Sequence, residues 1–144
     1  MTKTDNKARE QAIQLLNEAG LRPTRQRVVL AQVLFSNGDR HITAEQLHGE
    51  AEADGAAISL ATVYNTLHQF KGAGLLREVV VDSGRAYFDT NTKEHHHFYV
   101  EKTGLLEDIP GDLISMTSLP TLPVGMVVDR VDIVVRLRGK TWSN

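Results

Sequence analysis

Residues 75–89, with the sequence LLREVVVDSGRAYFD, narrow the possible folds more than any other segment of the chain. Two extended apolar runs flank Asp82, Ser83 and Gly84, which is the pattern of a β-hairpin closed by a tight turn. The chain before this segment has apolar residues at helical spacing instead. A set of helices followed by a single hairpin predicts a winged helix-turn-helix domain.

Four helices are predicted before the hairpin, and each has recognisable start or stop residues. Thr43, with Gln46 three residues later, forms a capping box for the third helix. Ser59 is a favourable N-cap for the fourth helix. The predicted helices cover residues 5–19, 24–38, 44–53 and 60–71.

The chain after residue 90 is rich in predicted strands, so the overall class is α+β. We expect a winged-helix DNA-binding domain over 1–90 and a small α/β dimerisation domain over 91–144. The second part is small for an independent core, so its longest strand is expected to pair with a second copy. The predicted strands cover 95–101, 105–109 and 126–139, and a short helix covers 111–116.

The composition excludes several kinds of site. The chain has no cysteine, which excludes disulfides, cysteine-ligated zinc and a cysteine nucleophile. Its net charge of −2 gives no overall basic field, so a nucleic-acid surface must be local. No apolar run is long enough to span a membrane and no signal peptide is recognisable, so we expect a cytoplasmic protein without a membrane partner.

The fourth predicted helix has an apolar face, which carries Leu60, Val63, Leu67 and Phe70, and a polar face opposite to it. Amide, small and aromatic side chains on the polar face suit base edges in the major groove of DNA. Upstream, the stretch LRPTRQR carries three arginines that suit phosphates or a narrow minor groove. The alternative is an ordinary amphipathic helix preceded by a solvated helix start. The predicted DNA-contacting residues are Arg22, Arg25, Arg27, Ala61, Thr62, Tyr64, Asn65, His68 and Gln69.

Three consecutive histidines open the first strand of the second part. On a strand, His95 and His97 share one face and His96 points to the other. Two imidazoles alone do not make a metal site. His41, Asp89 and Asp108 offer further ligands. The alternative for His41 is an ordinary surface histidine. Two or three imidazoles with one or two carboxylates suit Fe(II), Mn(II), Zn(II) or Co(II). Because these ligands come from both halves of the chain, a bound ion would fix the angle between them and so link metal to DNA affinity.

The segments GLRPTRQRVVL, HITAEQL, ISLATVYNTLHQF, AGLL and HHHFY resemble the ferric uptake regulator family in order and spacing, over nearly the whole chain. The resemblance implies a homodimeric, metal-controlled winged-helix regulator that acts mainly as a repressor on A·T-rich operator DNA. It implies a base contact for Tyr64 and a minor-groove contact for Arg22. The sensory metal site that it implies consists of His41, Asp89, His95, His97 and Asp108.

The chain departs from the family at the structural zinc site. The positions of a Cys-x-x-Cys motif are held by Val100 and Thr103, so this zinc is not expected. A further metal site of the family would use the positions of Glu94, His96, Ser115 and Val131. Only Glu94 and His96 are able to bind metal.

The histidine run, the lack of cysteine and the ending DIVVRLRGK are similar to the iron response regulator branch of the family. This resemblance implies haem binding at His95, His96 and His97 and control of iron and haem homeostasis genes. Two ligands on one strand face cannot approach a haem iron from opposite sides. Haem would therefore bind one of these three histidines, such as an outward His96, and a second ligand from elsewhere. Haem and the divalent metal would then compete.

Three other functions fit parts of the sequence. A peroxide sensor of the same family is favoured by an aspartate, Asp108, as the outer carboxylate ligand. A metalloenzyme would need an open metal position and a general base, and no such motif is recognisable, so we do not expect an enzyme. A metal-independent architectural DNA-binding dimer is the third alternative.

Overall fold

The computed structural model describes residues 3–82, 85–93, 95–114 and 118–140. The chain forms two compact units, an N-terminal unit, Met1–Thr92, and a C-terminal unit, Lys93–Asn144. Among the described residues, the first unit contains four helices and a three-stranded sheet, and the second contains a separate three-stranded sheet. The predicted α+β class is confirmed.

The helices of the N-terminal unit start where local hydrogen bonds satisfy their first backbone amides. The hydroxyls of Thr24, Thr43 and Ser59 each accept a hydrogen bond from the backbone N–H three residues later. Gln46 completes the predicted capping box at Thr43. The second helix ends before the predicted limit at residue 38. The helices are α1 (Lys3–Glu18), α2 (Arg25–Phe35), α3 (Ala44–Ala53) and α4 (Leu60–Gly72).

The sheet of the N-terminal unit consists of the predicted hairpin and one short additional strand. Strands β2 (Arg77–Asp82) and β3 (Arg85–Asp89) form the hairpin, whose turn residues 83 and 84 lie outside the described residues. The two-residue strand β1 (His41–Ile42) pairs antiparallel with β3, giving the order β1-β3-β2. This strand was not predicted, and it brings His41 opposite Asp89.

The core of the N-terminal unit is built from buried apolar side chains of all four helices and the hairpin. Val63, Leu67 and Phe70 of α4 are buried in it, as predicted. Leu60, the fourth apolar residue predicted for this face, is 37% exposed. Leu60 is the first residue of α4, and helical side chains lean towards the N-terminal end, so this side chain extends past the start of the helix.

The sheet of the C-terminal unit has β4 (His95–Val100) at its centre. Strand β5 (Leu105–Pro110) pairs with it antiparallel, and β6 (Val134–Leu137) pairs with it in parallel. A single 3₁₀ turn, Gly111–Leu113, follows β5 where the sequence predicted a helix over 111–116, and residues 115–117 lie outside the described residues.

The predicted long strand over 126–139 is wrong in length, because only Val134–Leu137 is a strand. Its pairing partner sets its limits, since β6 pairs with the stretch of β4 from His97 to Val100. Just before β6, the backbone N–H of Ile133 donates to the ring of His96.

No helix among the described residues is both long and apolar enough to cross a membrane.

Candidate metal centre and nucleic-acid surface

One candidate group of metal ligands lies in the N-terminal unit. Neighbouring strands place His41 directly opposite Asp89, and Nε2 of the imidazole lies 3.2 Å from Oδ2 of the carboxylate. Asp89 is fully buried, and its Oδ1 accepts a hydrogen bond from the backbone N–H of Asn91 at 2.9 Å. We call His41 and Asp89 the N-terminal pair.

A buried arginine lies on the other side of Asp89 in the same sheet. Arg77 of β2 is opposite Asp89 in the strand register and is only 8% exposed. A buried carboxylate needs a compensating charge or hydrogen bonds. Asp89 therefore lies between two cross-strand neighbours, His41 and Arg77, that can carry positive charge.

The backbone next to the N-terminal pair is fixed by a second set of contacts. The N–H of Arg40 donates to the Thr90 hydroxyl at 2.7 Å, and the N–H of Thr90 donates to the Arg40 carbonyl at 3.0 Å. The Arg40 guanidinium donates to both carboxylate oxygens of Glu50 in α3, at 2.9 and 2.6 Å. This hydrogen bonding by Glu50 raises the pKa of Arg40. His41 therefore follows a residue that is tied to both β3 and α3.

The second candidate group lies in the C-terminal unit and consists of His95, His97 and Asp108, which we call the C-terminal triad. The register pairs His97 with Asp108, and His95 lies on the same face of β4 two residues earlier. The two Nε2 atoms lie 3.2 and 3.3 Å from the same carboxylate oxygen, Oδ1 of Asp108. Both imidazoles are almost completely buried, whereas the Asp108 side chain is about one third exposed.

The contact of the other ring nitrogen of His95 indicates the tautomer of the neutral ring. Nδ1 of His95 contacts the carbonyl oxygen of Lys93, which can only accept, so Nδ1 carries a proton. In the neutral imidazole, Nε2 then presents a lone pair towards the oxygen of Asp108. Two acceptors that face each other at this distance are stabilised by a cation between them. A second-shell carbonyl that fixes the tautomer in this way is typical of metal-binding histidines.

The donor chemistry of both groups fits a divalent transition metal. Neutral imidazole nitrogens and carboxylate oxygens suit Fe(II), Mn(II) and Zn(II), and the chain has no thiolate to favour a softer ion. The donor atoms of the C-terminal triad all lie within 4.8 Å of one another. The residues present therefore fit an ion held by imidazoles and carboxylates.

The expectation of an outward His96 is wrong. His96 is 6% exposed, and its Nδ1 accepts a hydrogen bond from the backbone N–H of Ile133 at 3.1 Å. The polypeptide leading into β6 covers this face of β4, which is why alternation along the strand does not bring His96 to solvent. Haem binding at His95, His96 and His97 stays a prediction, and it requires these buried rings to become accessible.

The two positions of the family's zinc motif form part of a turn. The Val100 carbonyl accepts a hydrogen bond from the N–H of Gly104 at 2.8 Å, and the Thr103 hydroxyl accepts one from the N–H of Leu105 at 3.3 Å. Hydrogen bonds thus close the connection between β4 and β5. Of the further predicted metal positions, Glu94 and Ser115 lie outside the described residues.

The polar face of α4 is exposed, as the sequence predicted, at Ala61, Tyr64, Asn65, His68 and Gln69. Three of these side chains have neighbours within the unit: Tyr64, His68 and Gln69, which contacts Arg27. The Tyr64 hydroxyl donates to the carboxylate of Glu45 at 3.0 and 3.2 Å, which raises the pKa of Tyr64. The ring of His68 packs edge-on against Phe88 at 5.6 Å. Thr62 is half-buried, and its hydroxyl accepts a hydrogen bond from Ser59 at the start of the helix.

The three predicted arginines differ in their surroundings. Arg22 and Arg25 are exposed. Arg27 is half-buried, and its guanidinium donates to Oε1 of Gln69 and to the carbonyl oxygen of Arg22. The structure therefore brings the start of α2 and the exposed face of α4 together.

Three residues close to these groups were missed by the sequence analysis: Arg40, Glu45 and Arg77. The only available signal for Arg77 was its place in a predicted strand of the hairpin. Glu45 and Arg40 acquire their partners only through tertiary contacts, so no local pattern identifies them.

Comparisons with known proteins identify the family of the chain. The family model described as "Ferric uptake regulator family" matches residues 18–122. The peroxide-responsive repressor PerR of Staphylococcus aureus (strain Mu50) is 35% identical over 99 residues, which cover 69% of this chain and 66% of that protein. The chain therefore spans just under two thirds of the length of the curated relatives that it matches.

Solved structures show the same fold. The ferric uptake regulator of Pseudomonas aeruginosa with manganese has a TM-score of 0.67 and 26% identity, over 90% of this chain and 98% of that chain. A zinc-bound manganese uptake regulator has a TM-score of 0.59 and 26% identity, over 87% of this chain and 97% of that chain. Because the family model covers most of its length, the chain belongs to the ferric uptake regulator family.

Proposed function

We propose that the chain is a homodimeric transcription repressor that binds operator DNA when a divalent metal occupies its His/Asp ligands. The C-terminal triad carries this proposal, because two imidazole nitrogens approach one carboxylate oxygen at 3.2 and 3.3 Å in a buried setting. The names of the relatives support the same function, since they include a repressor and regulators with manganese or zinc bound.

The proposed ion is held by the C-terminal triad together with the N-terminal pair, as the family resemblance implies. Such an ion supplies positive charge that compensates the carboxylates of Asp89 and Asp108. The protein groups do the rest. The carbonyl of Lys93 sets the tautomer of His95, and the contacts of Arg40 with Thr90 and Glu50 hold the backbone before His41. Because the ligands belong to both units, occupancy would link the ion to the orientation of the DNA-reading helix.

The proposed partner is double-stranded, A·T-rich operator DNA. The exposed side chains of α4, among them Tyr64 and Asn65, would face the major groove. The exposed Arg22 and Arg25 would lie near phosphates or a minor groove. Two copies are needed so that two such helices reach two half-sites on one side of the duplex.

The proposed targets are genes of iron and haem homeostasis. The support is the resemblance of the histidine run and the cysteine-free C-terminal unit to the iron response regulator branch. In this proposal haem opposes the metal. Haem access to His96 would break the hydrogen bond from Ile133 and loosen β6 from β4, on the same strand that carries His95 and His97.

A peroxide sensor is the second candidate. An aspartate, Asp108, is the outer ligand, and the S. aureus relative is named a peroxide-responsive repressor. In that case, peroxide treatment of the iron-loaded protein would add one oxygen to His41 or His95, and mass spectrometry of peptides would locate it. A metalloenzyme is disfavoured because the family consists of regulators, and a metal-dependent turnover assay would detect one.

The test is fluorescence anisotropy of a labelled A·T-rich palindromic duplex at fixed salt, because salt alone changes such affinities strongly. The protein is titrated with chelator, with Mn(II), and with Mn(II) plus haem. We expect binding with Mn(II), loss with chelator, and release by haem. Binding that needs Mn(II) but ignores haem would replace the iron and haem assignment by a metal or peroxide sensor. Equal binding with and without chelator would refute metal control.

A further inference from the structure

We propose that Arg27 is a positioning residue that fixes the side-chain amide of Gln69, so that Gln69 reads hydrogen-bond acceptors on DNA and does not pair with adenine. This inference rests on the proposed function, because it assumes that the exposed face of α4 meets the major groove. It assigns to Arg27 a role different from the phosphate contact expected from the sequence.

The geometry of the contact defines the orientation of the amide. Nε and Nη2 of Arg27 both donate to Oε1 of Gln69, at 3.1 and 3.0 Å. Both donors require an oxygen, so the amide group cannot be rotated by half a turn without placing its NH₂ against two N–H groups. The two lone pairs of the Gln69 oxygen are therefore occupied within the protein.

The chemical consequence follows from the patterns of the base edges. A glutamine recognises adenine by accepting from N6 and donating to N7 at the same time. With its oxygen occupied, Gln69 offers only the two N–H donors of its amide. These donors suit the acceptors of guanine, O6 and N7, or the O4 of thymine, and they are repelled by the amino group of cytosine.

The same guanidinium also positions the loop before α2. Nη1 of Arg27 donates to the carbonyl oxygen of Arg22 at 2.9 Å. Three of the five N–H donors of Arg27 are thus used within the protein, on a backbone atom next to Pro23 and on a side chain of α4. Arg27 therefore fixes the distance between Arg22 and the reading face, and only two of its N–H donors remain for any other partner.

The experiment is a selection of duplexes from a random pool by the full-length protein with Mn(II), followed by competition among the four base pairs at each position of the selected site. Wild type is compared with Arg27→Met, which keeps the length of the stem but removes all donors. Arg25→Met is the matched control, because it removes an exposed arginine from the same turn of α2.

At one position per half-site, wild type is expected to prefer guanine or thymine over cytosine by about tenfold or more. Arg27→Met frees the Gln69 oxygen, so the relative affinity for adenine at this position should rise about tenfold. Arg25→Met should lower the affinity for all duplexes alike, as the loss of a phosphate contact does, and should leave the base preference at this position unchanged. Gln69→Glu provides a variant that keeps the contact with Arg27, and its preference should move to the amino group of cytosine.

Two results would overturn the inference. The first is a uniform loss of affinity of Arg27→Met across all sequences, with a salt slope lower by about one, because this is the behaviour of a phosphate contact. The second is a base preference that neither Arg27→Met nor Gln69→Glu changes. If wild type enriches no duplex at all, the proposed function itself fails, and this outcome is distinct from both.

Discussion

Replacement of Asp108 by asparagine should separate the metal-bound from the metal-free stability of the protein. Without metal, the substitution removes only a partly exposed carboxylate beside two histidines, with distances of 3.2 and 3.3 Å. Because the Asp108 side chain is one third exposed, its contacts with the two buried imidazoles contribute about 0–1 kcal/mol. The metal-free variant should therefore unfold at nearly the same temperature as wild type.

With metal, the difference should be large. An ion at 100 times its Kd stabilises the folded state by about 2.7 kcal/mol. Loss of supporting groups weakens metal binding by about 10–100-fold, and loss of an anionic ligand should reach at least the upper end of this range. The same metal concentration would then stabilise Asp108→Asn by only about 0.4 kcal/mol. For a chain of this size 1 kcal/mol changes the Tm by about 2–4 °C. The metal-induced rise in Tm should fall from about 5–11 °C to about 1–2 °C.

The assay is thermal unfolding with chelator and with a fixed excess of Mn(II). Asp112→Asn is the matched control, since Asp112 is an exposed aspartate in the 3₁₀ turn after β5. This control should keep the full metal-induced rise. If Asp108→Asn also keeps it, the C-terminal triad does not hold the ion.

Three further predictions concern the N-terminal unit. Leu67→Ala removes a fully buried side chain of α4 and should lower the free energy of unfolding, measured by urea denaturation, by about 2–5 kcal/mol. Leu67→Met nearly conserves the volume and should lower it by less than about 1.5 kcal/mol. Equal losses in the two variants would contradict the packing described. The pKa of Tyr64 is raised because its hydroxyl donates to Glu45, so this hydrogen bond is complete below the ordinary pKa and is lost as pH rises through the raised one. Glu45→Gln should therefore lower the pH at which phenolate absorbance of Tyr64 appears, with Tyr64→Phe as the blank, and an unchanged titration would disprove the contact. Arg40→Met breaks a bidentate contact with Glu50 between partly exposed side chains. The free energy of unfolding should therefore fall by about 0.5–1 kcal/mol. A double-mutant cycle with Glu50→Gln should recover most of this loss as coupling energy.

Features that depend on neighbours in sequence could be predicted well. The caps at Thr43 and Ser59 form between residues three apart, so the sequence alone contains both partners. The hairpin of β2 and β3 is likewise a local structure. The common face of His95 and His97 follows from the alternation of a strand, whatever lies around it.

Features that depend on distant partners could not be predicted from the residues alone. Strand β1 has only two residues, so it has no periodicity to detect, and it exists because β3 offers an edge. Alternation placed His96 on the outer face of β4, but alternation gives no information about what covers that face. The length of β6 was overestimated because its apolar residues continue beyond the stretch that β4 can pair with.

The same pairing of β6 with β4 has a consequence for the order of folding. Strand β5 covers one edge of β4 after a short turn, but the contact between Ile133 and His96 joins positions 37 residues apart. Closing such a loop loses more chain entropy than closing a hairpin, and parallel pairing of distant segments forms slowly. During synthesis, β4 and β5 can therefore pair while the segment that will form β6 is still inside the ribosome. Until β6 pairs, strand β4 has one unpaired edge. A chaperone or another nascent chain can reach this edge during that time.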